Sequence, residues 1–301
     1  MSIHVSVIIP HLNEPAALAR ALQRLDCQKA PGVEFEIIVA DNGSSVDLPQ
    51  SIVSHPRVIV VRETTPGPGL ARNRGVLRAR GDILAFIDAD CEPDAAWIQT
   101  IFNHFQDRDR APVIGGEVRI APRGDGLEPL EAYESIFGYR SELYIRRDGY
   151  APTCNMAMRQ EVFNEVGPFH GIQIAEDRDW GQRATRAGYS PGFLPEMIVF
   201  TAARESFLEL ARKWDRHIAH DFAEVHGSMS RFAWALRSFA LAISPIAEIP
   251  RVIASGRITG RRARALAWCV LFRIRLYRAR RMLQLLVQGD PKAMAMGWRK
   301  K

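Results

Sequence analysis

Cysteine is scarce and without pattern in this chain of 301 residues. The four cysteines, Cys27, Cys91, Cys154 and Cys269, form no CxxC pair and have no regular spacing. This excludes a disulfide framework and a cysteine-ligated zinc site, and it is typical of proteins from a reducing compartment.

Long apolar runs are also missing. The longest, 239–247 and 265–272, are about half of the roughly 20 residues that a membrane-spanning helix needs. Residues 1–4 lack the basic region and the apolar run of a signal peptide. We therefore expect a cytoplasmic protein without a transmembrane helix.

Acidic residues are few in the C-terminal third. Residues 204–301 contain 20 Lys and Arg but only 7 Asp and Glu. Residues 1–203 contain 20 Lys and Arg and 27 Asp and Glu. Between Val225 and Gln288 the only acid is Glu248. The chain therefore joins an acidic body to a basic tail, although its net charge is only +6.

Three interpretations of the basic tail stay open. The first is a helical cap whose arginine stems cover apolar surface. The second is a surface that contacts an anionic membrane, and the third is a phosphate-binding surface for nucleic acid. The arginines of 273–281 do not segregate to one side of a helical wheel, which argues against an amphipathic membrane helix there. Apolar residues upstream of this segment are typical of helices that lie at an interface or pack against another element. They are Phe232, Trp234, Leu236, Phe239 and Leu241. We favour peripheral contact with the inner face of the cell membrane and no nucleic-acid partner.

The first half of the chain alternates between strand and helix patterns. Buried-type apolar runs at 5–10, 35–40, 58–61 and 83–87 predict strands, and helices are expected from Pro15 and over 70–79. Farther along, strands are predicted at 113–120 and 154–158, and helices at 127–146, 160–166 and 177–188. The order predicts an α/β fold with a mostly parallel, Rossmann-like sheet and helices on both faces. We expect one catalytic domain over 1–205, with halves 1–112 and 113–205, and a basic helical extension over 206–301.

Two carboxylates follow the strand at 83–87. Asp88 and Asp90 are spaced i, i+2, which places both on one side of an extended backbone. Open α/β sheets bind ligands at such strand ends. The pair shares a proton, repels, or holds a divalent cation.

Other acids stand at comparable positions. Glu14 and Asp41 follow the first and second predicted strands, and Glu176-Asp177 opens a later helix. Each alone has an ordinary explanation, as a first-turn helix acid, a turn residue or a helix cap. Their ordered combination favours a common site.

That combination resembles glycosyltransferase family 2, the inverting nucleotide-sugar transferases with a GT-A fold. The resemblance rests on four stretches in the family's order between Val5 and Tyr189: VSVIIPHLNE, IIVADNGSSVD, GLARNRGVLRARGDILAFIDADCEPDAAW and NMAMRQEVFNEVGPFHGIQIAEDRDWGQRATRAGY.

The resemblance implies a role for each matching residue. Donor-nucleotide contacts would come from Pro10, Asn13, Glu14, Asp41, Asn42, Gly43, Arg72, Asp88, Ala89 and Asp90. Asp90 would ligate Mg²⁺ or Mn²⁺ on the diphosphate, and Asp88 would bind ribose or the metal through water. Asp177 would be the catalytic base, and Glu176 and Trp180 would contact the acceptor.

The implied function is transfer of a sugar from a UDP- or GDP-linked donor to a hydroxyl of a glycan or lipid-linked acceptor, in the synthesis of a surface glycan or glycolipid. One alternative is a sugar nucleotidyltransferase, which would need a glycine-rich, lysine-bearing loop where this chain reads Pro10-His11-Leu12-Asn13-Glu14. Another is a non-catalytic, membrane-associated scaffold with the same fold.

Overall fold

The computed structural model describes residues 3–171, 175–223 and 225–288. The chain divides into two compact units. The sheet unit consists of Met1–Arg119 and Arg140–Thr201, and the helical unit of Ile120–Tyr139 and Ala202–Lys301. The predicted domain boundary near residue 205 stays a prediction, and the helical unit also takes in a segment from the middle of the chain.

Within the described residues there are eight strands: β1 (Val5–His11), β2 (Phe35–Asp41), β3 (Val58–Arg62), β4 (Ile83–Ile87), β5 (Cys91–Pro93), β6 (Val113–Ala121), β7 (Asn155–Arg159) and β8 (Gly192–Ala202). The helices of the first half are α1 (Pro15–Asp26), α2 (Gln50–Val53), α3 (Pro68–Val76), α4 (Trp97–Phe105), α5 (Pro129–Phe137) and α6 (Ser141–Asp148). Those of the second half are α7 (Gln160–Val166), α8 (Glu176–Arg186), α9 (Phe207–Ala223), α10 (Gly227–Ala247), α11 (Ile249–Ala254) and α12 (Arg261–Gln288).

The strands form one sheet in the order β3-β2-β1-β4-β7-β6-β8-β5. The pairs β3–β2, β2–β1 and β1–β4 are parallel, whereas β4–β7, β7–β6 and β8–β5 are antiparallel. The β1–β2 register pairs Val5 with Phe35 and His11 with Asp41, so the two strands end at the same level. The predicted α/β fold is confirmed, and its parallel half is the part that carries the predicted acids.

Aromatic side chains fill the core beside the central strands of the sheet unit. Phe86 of β4 meets Phe169 edge to face at 5.5 Å between ring centroids. Phe169 in turn lies 5.6 Å from Trp180 of α8. All three side chains are fully buried, so α8 is fixed to the sheet through its indole.

The helical unit is built around α12, which contacts α5, α9, α10 and α11. Trp234 of α10 and Met282 of α12 share one buried cluster, and the Trp234 indole donates to the Met282 carbonyl at 3.0 Å. Asp215 of α9 accepts hydrogen bonds from Tyr277 and Arg281 of α12. The predicted helical C-terminal region is confirmed.

One local prediction differs from the structure. The expected helix over 127–146 is instead two helices, α5 and α6, and α5 ends with Gly138 as its C-cap residue, in keeping with the low helix propensity of glycine. Glu14 is the N-cap residue of α1, immediately before Pro15. In the part of the chain that the structure describes, every helix is too short or too polar to span a bilayer.

Candidate active site

The candidate site lies where three neighbouring parallel strands of the sheet unit end. Glu14 follows β1, Asp41 ends β2, and the sequence Asp88-Ala89-Asp90 follows β4. Because β1 lies between β2 and β4, the topology brings these acids to one edge of the sheet. Open α/β sheets bind ligands at this edge.

Asp41 is oriented by a histidine that the sequence did not single out. The His11 ring is buried, with Nδ1 3.2 Å from Asp41 Oδ1 and Nε2 accepting the Glu14 N–H at 3.2 Å. Because Nε2 accepts, Nδ1 carries the proton and donates to the carboxylate. Burial acts to raise the pKa of Asp41, but hydrogen bonds from Ser44 and His11 outweigh it and lower that pKa. Asp41 is thus an ionised acceptor at neutral pH.

Asn13 and Asn42 tie neighbouring loops together. Asn13 has a left-handed φ of 57°, and its Oδ1 accepts the Ser45 N–H at 2.8 Å. The Asn42 amide donates to the Thr65 carbonyl at 2.8 Å and accepts the Gly67 N–H at 2.7 Å. Both side chains therefore stabilise the rim of the site, and their direct contact with a donor stays a prediction.

The remaining predicted donor contacts are placed as follows. Pro10 pairs with Ala40 across β1 and β2, Gly43 has a φ of 78° in the turn after β2, and Ala89 is buried between the two aspartates. Each lies at the strand-end edge. Donor contact by these residues stays a prediction.

Arg72 joins two separate carboxylates. Its guanidinium is buried in the third helix, and it donates to Asp88 Oδ1 at 2.7 Å and to Glu176 Oε1 at 3.0 Å. Burial acts to lower the pKa of Arg72, but the charges of Asp88 and Glu176 outweigh it and raise that pKa. The arginine thereby links the end of β4 to the first turn of α8.

A close approach of α3 to the segment before α8 supports this bridge. A side chain on Gly69 would place its Cβ 2.7 Å from the His170 carbonyl oxygen and 3.3 Å from Glu176 Cβ. Asn73 exchanges two hydrogen bonds with the Phe169 backbone, at 2.8 and 2.9 Å. The Gly69 position therefore excludes larger residues.

Carboxylates crowd together around Asp90. Its side chain is exposed to the site, yet desolvation raises its pKa to about 6, assisted by the negative charges of Asp88 and Glu14. Carboxylates whose negative charge is not balanced by nearby cations provide hard oxygen ligands that suit Mg²⁺ or Mn²⁺.

The protein side chains alone do not complete a metal site. Among residues 3–171, 175–223 and 225–288, no three or more His, Cys, Asp or Glu side chains form a group that could hold a metal ion. Mg²⁺ is commonly bound by one or two carboxylates together with substrate phosphates and water. Asp88 and Asp90 fit that manner of binding.

Asp177 lies in the first turn of α8, next to Glu176. Desolvation and the Glu176 charge raise the pKa of Asp177, against the Arg178 backbone N–H that donates to its Oδ1 at 2.7 Å. Asp88 also acts on Asp177 electrostatically. By contrast, Asp179 is engaged by His170 at 2.8 Å and Arg183 at 3.0 Å. Asp177 is therefore the better placed of these two acids to act as a base.

The prediction that Trp180 contacts an acceptor is wrong. Its side chain is fully buried against Phe163 and Phe169, and its indole donates to the Gly167 carbonyl at 2.9 Å. The sequence held a signal for this burial, because Trp180 and Ala184 recur at i and i+4 in an otherwise polar helix.

A pair of stacked tyrosines is the aromatic surface that the sequence analysis missed. The rings of Tyr144 and Tyr150 lie 5.5 Å apart at an interplanar angle of 9°, and both are partly exposed. Tyr150 packs so closely on α8 that a Cβ at Gly181 would lie 2.4 Å from its own Cβ. Burial raises the pKa of both phenols, and Asp177 contributes to each shift. The pair therefore lies against α8, the helix whose first turn carries Asp177.

Comparison with known proteins gives a consistent result. The family model described as glycosyl transferase family 2 matches residues 6–167, more than half of the chain. The glycosyltransferase AglE of Haloferax volcanii is 33% identical over 215 residues, which are 69% of this chain and 70% of AglE. The pre-mycofactocin glycosyltransferase of Mycobacterium tuberculosis is 26% identical over 282 residues, which are 86% of this chain and 58% of that protein.

Among solved structures, the fold is similar to the mannosyltransferase PcManGT of Pyrobaculum calidifontis in complex with GDP-Man and Mn²⁺. The TM-score is 0.57 at 17% identity, covering 96% of this chain and 88% of that one. At this identity the likeness describes the fold alone.

Proposed function

The chain belongs to glycosyltransferase family 2, and on that premise we propose that it transfers a sugar from a UDP- or GDP-linked donor to a hydroxyl acceptor with inversion at the anomeric carbon. The resemblance drawn from the four sequence stretches is confirmed. The donor, the acceptor and the stereochemistry are part of the proposal.

The observation that carries the proposal is the Arg72 bridge. It holds Asp88, beside the proposed donor site, in fixed relation to Glu176, which adjoins the proposed base Asp177. A single displacement needs the leaving group and the base on opposite sides of one sugar carbon. A rigid link between the two acidic elements supports that arrangement.

The donor half of the site is formed by the strand ends. Asp41, whose pKa is lowered by hydrogen bonds from Ser44 and His11, would accept the imide N–H of a uracil or the equivalent donors of guanine. Asp90 and Asp88 would hold Mg²⁺ or Mn²⁺ together with the donor diphosphate. That ion would neutralise the charge that develops on the nucleoside diphosphate.

Asp177 is the proposed base. The acceptor oxygen bonds to the anomeric carbon, the bond from that carbon to the phosphate oxygen breaks, and the acceptor proton passes to the Asp177 carboxylate. The raised pKa of Asp177 suits this task, because a base works best with a pKa closer to the operating pH.

Tyr144 and Tyr150 take the acceptor role that was predicted for Trp180. The stacked rings lie against α8, which also carries Asp177, and the apolar face of a pyranose packs well on an aromatic ring. Glu176, whose side chain is partly exposed, is a hydrogen-bond acceptor for the same sugar. The acceptor is a glycan or lipid-linked saccharide, modified on the cytoplasmic side at the inner face of the membrane.

The proposal is tested with the purified full chain and a panel of UDP- and GDP-sugars. Nucleoside diphosphate release is measured with Mg²⁺, with Mn²⁺ and with EDTA. We expect release from one donor class and loss of activity in EDTA. Metal-independent release, or release from no nucleotide sugar, would contradict the proposal.

Substitutions separate donor binding from turnover. Asp90→Ala should lose Mn²⁺-dependent binding of nucleoside diphosphate in a thermal-shift assay. Asp177→Asn should keep that binding and lose at least about 100-fold in turnover, the usual contribution of a general base. Asp82→Asn, at an exposed acid just before β4, is the matched control. Turnover by Asp177→Asn at the rate of the unsubstituted chain would rule out Asp177 as the base.

The tyrosine pair has its own test once a donor is identified. With a panel of simple alkyl glycosides as acceptors, Tyr144→Ala should raise the acceptor KM and leave metal-dependent donor hydrolysis unchanged, whereas Tyr144→Phe should keep both. Equal loss of hydrolysis and transfer would show that the pair only supports the fold.

A further inference from the structure

An apolar stripe runs along one face of α10 in the helical unit. Its members are Met229, Phe232, Leu236, Phe239, Ile243 and Ile246, each between 54% and 83% exposed. Their spacing alternates between three and four residues, so they fall within about 100° of arc on the helix. Ile253 of α11 adds a further exposed apolar side chain, at 63%.

Contacts on the opposite face of α10 orient the helix so that the apolar stripe faces outward. Trp234 donates to the Met282 carbonyl, Ser238 is fully buried, and the Ser244 hydroxyl accepts a hydrogen bond from Arg275 at 2.7 Å. Because these contacts hold the other side of the helix against α12, the stripe is left without a partner among the described residues of the helical unit.

The stripe extends across a shallow groove onto α12. Phe239 of α10 and Leu276, Leu283 and Val287 of α12 line the same groove, and its surface is almost wholly apolar. Contiguous exposed apolar surface of this kind marks an interaction site in a folded protein.

The charge around the stripe selects the partner. Residues 227–288 contain twelve arginines, no lysine and the one acid Glu248. Glu248 is itself ion-paired with Arg251 and Arg275. Arg237 of α10 is exposed, and so is Arg280 of α12, which lines the groove. Arg231 of α10 is exposed as well, and its guanidinium donates to the Leu286 carbonyl.

We propose that the stripe of α10 inserts into the headgroup region of an anionic lipid bilayer, with the flanking arginines contacting lipid phosphates. A helix with an apolar face and a basic border lies in the plane of such an interface. A second copy of the chain would satisfy the apolar face but would bring two arginine-rich surfaces together, which like charges oppose. An anionic bilayer offers apolar chains to the stripe and phosphates to the arginines.

The experiment is co-sedimentation of the full chain with vesicles of phosphatidylcholine alone and of phosphatidylcholine mixed with phosphatidylglycerol. We expect binding to the mixed vesicles that weakens at high salt. The variant Phe232→Ser/Phe239→Ser should lower the partition coefficient by about tenfold or more, since each ring loses its burial in the lipid. Arg237→Gln/Arg280→Gln should lose the preference for the anionic vesicles.

The controls keep the outcome decisive. Leu77→Ser removes an apolar side chain that is 76% exposed but lies in the sheet unit, and it should bind as the unsubstituted chain does. Light scattering after gel filtration reports the second-copy alternative. Unchanged vesicle binding by the Phe232→Ser/Phe239→Ser variant, or conversion of a dimer to a monomer by it, would overturn the proposal. Neither result bears on sugar transfer, which the sheet-unit substitutions test.

Discussion

At the scale of single residues, the site depends on charges that are balanced in one place and unbalanced in another. Arg72 is buried between Asp88 and Glu176 and forms an ion pair with each. Asp90 has like charges around it instead, and its pKa rises to about 6. Removing the charge of Arg72 should therefore lower the stability of the protein, whereas removing the charge of Asp90 should raise it.

Arg72→Met should destabilise the protein strongly. Removing the guanidinium leaves two partly exposed carboxylates without their hydrogen-bond donor, at a cost of about 1–3 kcal/mol. Urea unfolding followed by circular dichroism measures this loss. Arg74→Met, at an exposed arginine of the same helix, should change the unfolding free energy by less than about 0.5 kcal/mol. Equal effects from both substitutions would contradict the bridging role.

Asp90→Asn should stabilise the metal-free protein at neutral pH. Because the folded pKa of Asp90 lies above the ordinary value of 3.8, the native state holds the proton more tightly, and the unfolding free energy falls as pH rises from about 4 to about 6. The side chain is exposed, so solvent screening reduces the effect to the order of 1 kcal/mol. Denaturation in EDTA at several pH values should show the gain above pH 6 and none below about pH 4. A loss of stability at neutral pH would mean that Asp90 is not repelled by its neighbours.

At the scale of elements, the sequence predicts the features that depend on short stretches of the chain. The apolar runs of β1, β2 and β4 predict their strands, and the acids at the strand ends predict the site edge. His11, Tyr144 and Trp180 depend on pairings between distant segments, such as the register of His11 with Asp41. The i, i+4 spacing of Trp180 and Ala184 marks the core face of α8, but it does not show that the indole meets Phe169. Such contacts between distant segments could not be derived from the sequence.

Gly69→Ala should disturb the contact between α3 and the segment before α8. The new Cβ would lie 2.7 Å from the His170 carbonyl, a backbone atom that has no rotamer to change. Overpacking of this kind costs about 1–3 kcal/mol. We expect a lower melting temperature and lower turnover, measured by calorimetry and by nucleoside diphosphate release. Gly126→Ala, where the added Cβ would meet open space, is the control and should change neither.

At the scale of the whole molecule, charge is divided along the chain. A net charge of +6 conceals an acidic first two thirds and a basic last third. Such concentrated charge governs adsorption to charged surfaces more strongly than the net value does.

Cation-exchange chromatography checks this division with two variants of equal net charge. Arg261→Gln/Arg262→Gln removes two exposed arginines from the helical unit, and Arg74→Gln/Arg78→Gln removes two from the sheet unit. The first variant should elute at clearly lower salt than the second, because the resin contacts the basic surface. Identical elution would mean that retention follows net charge alone.

The hydrogen bonds of Asn73 to Phe169 and of Arg72 to Glu176 also bear on how a disturbance in one helix would spread. Two neighbouring residues of α3 hold both Phe169 and the first turn of α8. Because Arg72 also donates to Asp88, a shift of α3 would displace the proposed base and the donor-side carboxylate together.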